Sequence, residues 1–168
     1  MKLSGISEHT ENLLADALIE LTKTVPFNKL SVSFISHQAN VHRNTFYYHF
    51  EDIKALILWT IHRDFINAPD DTQGFLSTYF SRRDKLLKYA AEILGTSEFM
   101  KQMQSELLPL LERYCDSALN SASRDIILES FAGQILTAYL LSDRPAIMIN
   151  TIFDYVIPEL LKHDLTSG

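Results

Sequence analysis

The fold of this chain is decided by residues 30–56, LSVSFISHQANVHRNTFYYHFEDIKAL. Ser31 is a preferred N-cap residue, and it predicts a helix that continues to about Gln38. Asn40 tolerates the left-handed backbone conformation of a turn that follows a helix. A second helix is predicted to begin near His42 and to include RNTFYYH. Two short helices joined by a turn of about three or four residues form a helix-turn-helix.

The second helix of this motif carries aromatic residues on two faces. Phe46 and Phe50 are four residues apart, so they share one face and are predicted to pack inward with Val41 and Phe34. Two adjacent tyrosines cannot both face one core, which disfavours an ordinary buried amphipathic helix. The outward face is predicted to contain Arg43, Asn44, Tyr47 and Tyr48.

The whole chain is predicted to be all-α, because apolar residues recur at intervals of three and four without sustained alternation. Helix one is predicted from Ser7, as its N-cap, to Thr24, and Asp52 is predicted to cap a helix that follows the motif. Further helices are predicted at about 75–94, 97–119, 124–141 and 145–163, with Ser97 and Ser123 as caps and Pro145 in the first turn of the last.

Composition indicates a globular protein, since 46% of the 168 residues are hydrophobic and 21% are charged. The net charge of −6 by itself disfavours a nucleic-acid partner.

Cys115 is the single cysteine, so an internal disulfide and a Cys-based zinc site are excluded, and a reducing compartment is expected. The first residues lack the apolar core of a signal peptide, and no run of 18 apolar residues occurs. We therefore expect a cytoplasmic protein without a membrane partner.

A cluster of Pro, Asp and Gly at residues 67–74, NAPDDTQG, is the best candidate for a linker. It predicts a first domain at residues 1–65, which contains the helix-turn-helix and the connecting helix that follows it. A second, helical domain is predicted at residues 66–168.

The motif resembles the helix-turn-helix of the TetR family of bacterial transcriptional regulators. The shared features are a small residue at Ala39, an aliphatic residue at Val41, and an aromatic helix ending in YYHF at residues 47–50. The resemblance implies a homodimeric repressor that binds a palindromic operator in double-stranded DNA and is released by a small-molecule inducer. It also implies that residues 1–65 are a DNA-binding domain with its connecting helix and that residues 66–168 are a ligand-binding and dimerisation domain. The last two helices would then form a four-helix interface with those of a second copy.

The residue types on the outward face suit DNA. The N-terminal residues of a recognition helix meet base edges in the major groove. Arg43 can bind guanine through two hydrogen bonds, and Asn44 can read adenine. Thr45 and the hydroxyls of Tyr47 and Tyr48 suit phosphate oxygens, which position a protein without reading sequence. The resemblance implies the same roles at Thr45 and Tyr47.

Contacts to the DNA backbone are also expected outside this helix. The resemblance implies one near Ser33, at the start of the preceding helix. A lysine usual in the family is replaced by Ile53, and Lys54 beside it lies about 100° around the helix. His42 stands where the family usually has serine. His49 has two open interpretations, a phosphate contact or a tie between its helix and a neighbouring carbonyl.

Charge adds an expectation about binding. Residues 1–65 contain six Lys and Arg against seven Asp and Glu, a net charge of −1, and five of the six histidines. A module with so few cations is predicted to release few counterions and to bind with a shallow salt dependence. The histidines predict that binding also depends on pH.

Other interpretations of the last hundred residues stay open. Aromatic and methionine residues there invite a ligand pocket, although such residues at helical spacing are more often plain core; no ligand-binding residue is assigned. Two apolar stripes are candidates for the dimer interface, with Ala132 and Gly133 allowing close approach. The stripes are Phe131, Ile135, Ala138 and Tyr139, and Ile149, Ile152, Phe153 and Val156.

Two other classes of function compete with this interpretation. One is a co-regulator of the same fold that acts mainly by binding a partner protein, which the absence of a convergent polar cluster in the last hundred residues keeps open. The other is an enzyme. It is disfavoured because the sequence shows no Gly-rich phosphate loop, nucleophile–base pair or paired carboxylates. No cofactor is expected, and the histidines lack the spacing of a metal site.

Overall fold

The computed structural model describes residues 3–115 and 124–159, with side chains from Ser7 onward. Every regular element in these ranges is helical and none is a strand, so the all-α prediction is confirmed. The described helices are α1 (Leu3–Thr24), α2 (Val32–Gln38), α3 (Arg43–His49), α4 (Ile53–Ile66), α5 (Thr72–Arg82), α6 (Asp84–Leu94), α7 (Thr96–Cys115), α8 (Arg124–Leu141) and α9 (Pro145–Thr151). A 3₁₀ turn, Phe27–Lys29, precedes α2, and a π-helical turn, Ile152–Val156, continues α9.

The turn between α2 and α3 forms as the sequence predicts. The Ser31 hydroxyl accepts a hydrogen bond from the Phe34 N–H at 3.3 Å and caps α2. Asn40 has a φ angle of 53°, in the left-handed region. His42 Nδ1 accepts a hydrogen bond from the Asn44 N–H at 3.2 Å, at the start of α3. Both helices have only 7 residues, and each cap satisfies one of the four N–H groups left unpaired at the start of its helix.

A small apolar core holds α2 and α3 against α1. Phe46 is fully buried and Phe50 is nearly so, as predicted. The prediction that Phe34 also faces inward is wrong, because this side chain is 54% exposed. The inward face of α2 consists of Ile35 and Ser36, and the C-cap residue Ala39 is buried with them. Phe34 and Ser36 lie about 100° to either side of Ile35, and because the Ser36 side is buried, Phe34 faces outward.

Helix α1 begins at Leu3, before Ser7, so the prediction that Ser7 caps this helix is wrong. The Ser7 hydroxyl instead lies 3.2 Å from Glu11 Oε1 and 3.4 Å from His49 Nδ1. A serine can cap a helix, but its hydroxyl can also form a hydrogen bond within or between helices. Because α3 packs against α1, the Ser7 hydroxyl lies beside His49. The predicted cap of α4 is confirmed, since Asp52 Oδ1 accepts a hydrogen bond from the Ala55 N–H at 2.8 Å.

The chain divides into two compact units. The N-terminal unit consists of Met1–Asp64 with Lys85–Gly95, and the C-terminal unit consists of Phe65–Asp84 with Thr96–Gly168. In the N-terminal unit, the Tyr89 hydroxyl donates a hydrogen bond to the Val25 carbonyl at 2.5 Å, and its ring lies 5.2 Å from that of Phe27. The sequence did not predict this second segment of the N-terminal unit. The functional division at residues 65 and 66 stays a prediction.

The predicted helix at 75–94 is two helices, α5 and α6, which are separated at Arg83. No glycine or proline marks this break in the sequence. The Tyr139 hydroxyl on α8 lies 3.3 Å from Asp84 Oδ1 and 3.4 Å from the Asp84 carbonyl oxygen. Burial and the neighbouring Asp84 carboxylate raise the pKa of Tyr139, so this hydroxyl stays protonated and donates. A tertiary contact thus holds the first residue of α6.

The remaining helices, α7 to α9, supply much of the core of the C-terminal unit. Its fully buried side chains include Phe99, Met103, Leu107, Phe131, Ile135 and Ile149. Ser97 lies inside α7, so its predicted capping role is wrong, whereas Pro145 occupies the first turn of α9 as predicted. Ser123 and the predicted helix ends near 119 and 163 lie outside the described residues.

Candidate nucleic-acid interface

The outward face of α3 collects four of the predicted DNA-contacting side chains. Arg43, Asn44, Tyr47 and Tyr48 are all exposed, and Tyr48 is 84% exposed. Thr45 is half-buried beside them. Tyrosine combines an apolar ring with a polar hydroxyl and is enriched at interfaces, so two neighbouring exposed tyrosines suit a binding surface.

Arg43 and Tyr47 contact each other along this face. Arg43 Nη2 donates a hydrogen bond to the Tyr47 hydroxyl oxygen at 3.1 Å, and the guanidinium carbon lies 5.5 Å from the centre of the Tyr47 ring. The tyrosine ring in turn packs edge-on against the buried Phe46 ring, with centroids 5.6 Å apart. The arginine is therefore held by a ring that rests on the core.

Two further predicted contacts lie on neighbouring helices. Ser33 is exposed in the first turn of α2, and Lys54 is exposed in the first turn of α4. Ile53, which stands where a lysine was expected from the resemblance, is half-buried. The structure thus leaves Lys54 available to solvent despite its shifted position.

His49 faces helix α1 and not the outward face of α3. Its side chain is only 6% exposed. The His49 Nδ1 atom lies 3.3 Å from Glu11 Oε1 and 3.4 Å from the Ser7 hydroxyl, and that hydroxyl donates to the same carboxylate at 3.2 Å. Of the two interpretations left open by the sequence, this geometry favours a tie that anchors the C-terminal end of α3. The second interpretation predicts a tie to a neighbouring carbonyl, and the partner in the structure is the Glu11 side chain.

Sequence reasoning did not single out Ser7 and Glu11 as partners of His49. They are separated from it by 42 and 38 residues, so no local pattern joins them. The available signal was their i, i+4 spacing, which places them on one face of α1.

Replacing His49 with alanine is expected to lower the free energy of unfolding by about 1 kcal/mol, because a largely buried hydrogen-bonded tie is lost. Thermal or urea unfolding of the DNA-free protein measures this change. His37→Ala is the matched control, since that side chain is exposed on α2. A His49→Ala protein of unchanged stability that binds DNA more weakly would instead support a direct phosphate contact.

The cations of the N-terminal unit are partly neutralised within the protein. Arg63 on α4 donates to Asp16 Oδ1 at 2.9 Å and to Asn12 Oδ1 at 3.1 Å, both on α1. Lys23 forms an ion pair with Glu20. Arg63 is largely buried in these contacts, whereas the Lys23–Glu20 pair is exposed and weak. Arg43 is the cation on the outward face of α3.

The C-terminal unit contains an open groove of about 800 Å³. It is lined mostly by α8 and α9, with Gln134 and Thr137 among its polar residues and Leu141 and Met148 among its apolar ones. A Cβ atom added at Gly133 would meet no other atom within 4 Å, so the groove has open space there. Of the aromatic and methionine residues proposed for a pocket, Met100 lines this groove.

The apolar stripes predicted for a dimer interface mostly face the interior of the described chain. Phe131, Ile135, Ile149 and Phe153 are essentially fully buried. A different apolar set is exposed at the end of α8, along α9 and in the π-helical turn: Leu140, Leu141, Ile147, Met148 and Tyr155. We call these five residues, of which four are aliphatic and Tyr155 is aromatic, the exposed aliphatic face. The stripe prediction is wrong because helical spacing shows that a helix has an apolar face but not which neighbour covers it.

Two further properties concern the described ranges. None of their helices combines the length and apolar character needed to cross a membrane. These ranges also contain no group of three or more His, Cys, Asp or Glu residues that is placed to hold a metal ion.

Comparison with solved structures finds a similar fold in a TetR family repressor, AlkX from Dietzia sp. strain DQ12-45-1b, implicated in biodegradation of n-alkanes. The superposition covers 90% of this chain and 95% of that one, with a TM-score of 0.55 and 18% sequence identity. The chain has the TetR-family fold. The resemblance seen in residues 30–56 thus extends, as a fold, through most of the chain.

Sequence comparison adds a relative named as a regulator. The chain is 30% identical over 78 residues to the HTH-type dhaKLM operon transcriptional activator DhaS of Lactococcus lactis. The matched region spans 46% of this chain and 40% of the length of that relative. No family model matches the chain.

Proposed function

We propose that this protein is a TetR-family transcriptional regulator that binds a specific DNA sequence as a homodimer. The observation that carries the proposal is the outward face of α3, where an arginine, an asparagine and two tyrosines are exposed on a helix-turn-helix. This composition provides hydrogen-bonding groups for bases and phosphates but no apolar patch. The fold shared with AlkX and the partial match to DhaS support it.

Each predicted residue has a role in this proposal. Arg43 and Asn44 lie in the first turn of α3 and would meet base edges in the major groove. Thr45, Tyr47 and Tyr48 would hydrogen-bond to phosphates, together with Ser33 and Lys54 on the flanking helices. His49 would act indirectly, by holding α3 against α1. Residues 1–65 would form the DNA-binding domain and residues 66–168 the ligand-binding and dimerisation domain.

The exposed aliphatic face is proposed as the dimer interface. Leu141 is 82% exposed and Tyr155 is 71% exposed, Leu141 and Met148 line the same groove, and exposed apolar surface is characteristic of interaction sites. A two-fold dimer would place two α3 helices about one turn of DNA apart, or a multiple of it, and this geometry corresponds to a palindromic operator.

Repression and release by a small molecule complete the proposal. The groove has a mostly apolar lining with a few hydroxyl and amide groups, a composition typical of small-molecule sites. Leu141 and Met148 belong both to the groove and to the exposed aliphatic face. A ligand in the groove would favour a conformer with altered spacing of the α3 helices, to the extent of its differential affinity for the two conformers.

A gel-shift assay with DNA that flanks the protein's own gene tests the proposal. We expect a complex that survives excess unrelated DNA and that Arg43→Ala abolishes or weakens. A reporter fused to the same DNA then separates repression from activation. If no sequence-specific complex forms, with or without candidate small molecules, the proposal fails and a co-regulator that binds a partner protein becomes the better interpretation.

The proposed complex should depend only weakly on salt. If Lys54 of each subunit neutralises a phosphate while Arg43 meets a base, two phosphates are neutralised per dimer, and log K should fall with log salt concentration with a slope of about −2. Titrations at several KCl concentrations measure this slope. A slope of about −8 would mean that cations other than Lys54 make most of the phosphate contacts. Repeating the titrations at pH 6 and pH 8 tests the predicted histidine contribution, which an unchanged slope would contradict.

A further inference from the structure

The contact between Arg43 and Tyr47 joins two residues to which the proposed function assigns separate tasks. In that scheme the arginine reads a base and the tyrosine binds a phosphate. The two side chains are one helical turn apart on the exposed face of α3, and they share a hydrogen bond of 3.1 Å. What happens to one therefore affects the position of the other.

We propose that Tyr47 is a specificity-determining residue, because its hydroxyl and ring fix the orientation in which Arg43 meets its base. This inference rests on the proposed function, since it names the residue that sets base preference at the same site. It adds a role at one base position to the even, sequence-independent phosphate contact of Tyr47.

The geometry of the pair permits both tasks at once. The Tyr47 hydroxyl accepts the hydrogen bond from Arg43 Nη2, so its own proton remains available for a phosphate oxygen. The guanidinium has five N–H donors and uses one of them here, which leaves enough for two hydrogen bonds to guanine. A hydroxyl that accepts from a cation is also a stronger donor, because successive hydrogen bonds polarise one another.

The tyrosine is itself well positioned. Its ring packs edge-on against Phe46, at 5.6 Å between centroids, and Phe46 is fully buried. The guanidinium carbon lies 5.5 Å from the centre of the Tyr47 ring, within the range of a cation–π contact. The core therefore holds Tyr47, and Tyr47 holds an arginine side chain that would otherwise sample many rotamers before it binds.

The dipole of α3 does not stabilise Arg43 at its position. It is the first residue of α3, where the helix dipole disfavours a positive charge. No carboxylate forms an ion pair with Arg43 within the described residues. Tyr47 is thus the partner that the structure provides for this guanidinium.

The test compares Tyr47→Phe, Arg43→Ala and the double variant on the operator and on operators altered at one base pair. Arg43→Ala should reduce discrimination at one base position by about 5- to 150-fold. Tyr47→Phe should reduce discrimination at that same position by about 3- to 10-fold, in addition to an even loss of affinity. In the Arg43→Ala background, Tyr47→Phe should cause only the even loss.

Tyr48→Phe is the matched control. It removes a hydroxyl from the neighbouring exposed tyrosine, and within the described residues no hydrogen bond involves that hydroxyl. It should weaken binding evenly on all sequences and leave base preference unchanged. Arg43→Lys should lose the discrimination while retaining most of the non-specific affinity, because it keeps the charge but not the fork of donors.

The possible failures are distinguishable. If the unmodified protein forms no sequence-specific complex, the proposed function itself fails and the inference fails with it. If the unmodified protein is specific but Tyr47→Phe weakens all operators equally, the inference is overturned while the proposed function stands. A Tyr47→Phe effect on discrimination that persists fully without Arg43 would equally overturn it, because the tyrosine would then read the base directly.

Discussion

Replacing Phe46 with alanine is expected to unfold the helix-turn-helix and to abolish operator binding. Phe46 is 0% exposed, and its ring lies 5.9 Å from the Phe50 ring in the small core between α1, α2 and α3. Removing a buried phenyl group costs about 3–5 kcal/mol. That is a large share of the roughly 5–15 kcal/mol that stabilises a typical domain. Unfolding followed by circular dichroism measures the loss, and a gel shift at the same temperature follows its consequence.

Phe34→Ala is the matched control for this experiment. It makes the same change of side chain in the adjacent helix, but Phe34 is 54% exposed. We expect a change in the free energy of unfolding of no more than about 0.5 kcal/mol. Equal destabilisation by the two variants would show that both phenyl groups are buried in solution, and the arrangement of α2 described above would be incorrect.

Replacing Leu141 with glutamate is expected to separate the proposed dimer and to weaken operator binding strongly. Leu141 is the most exposed residue of the exposed aliphatic face, and it also lines the groove. A carboxylate there would have to lose its water on dimerisation, which costs free energy unless a cation pairs with it. An apolar anchor at the centre of an interface contributes about 2 kcal/mol or more, so the dimer dissociation constant should rise at least about 30-fold.

Sedimentation velocity over a range of concentrations measures that change, and a gel shift on the full palindrome follows its effect on DNA. Ile66→Glu is the control, since it introduces the same charge at an aliphatic residue that is 65% exposed on α4. A Leu141→Glu protein that remains a dimer at low concentration would exclude this face as the interface. A monomeric unmodified protein would exclude the homodimer altogether.

Local sequence signals were sufficient for the geometry of the helix-turn-helix. A serine before α2, an asparagine that tolerates positive φ, and a polar residue before α3 act on backbone groups within three residues of themselves. The inward positions of Phe46 and Phe50 also followed from their spacing. Caps, turns and helical spacing involve residues that are close in the chain. The contacts that the sequence pattern predicts are therefore the ones that the folded chain forms.

Other features required the packing of distant segments. His49 contacts Ser7, which is 42 positions away in the chain, and Glu11, which is 38 positions away. The break between α5 and α6 coincides with a contact from Tyr139, which is 55 residues beyond Asp84. In each case the sequence shows a residue that can form the contact, but the partner is chosen by which helices are neighbours in space.

The sequence by itself therefore determined the fold class, the helix-turn-helix and the division of α3 into an inward and an outward face. Helical periods and caps depend on residues close in the chain, and those residues are visible in any reading of it. Only the tertiary structure decided that Phe34 is exposed, that His49 faces Glu11, and that α8 and α9 bury the stripes expected at a dimer interface. An apolar or polar face has many possible partners along the chain, and burial selects among them only when the helices pack.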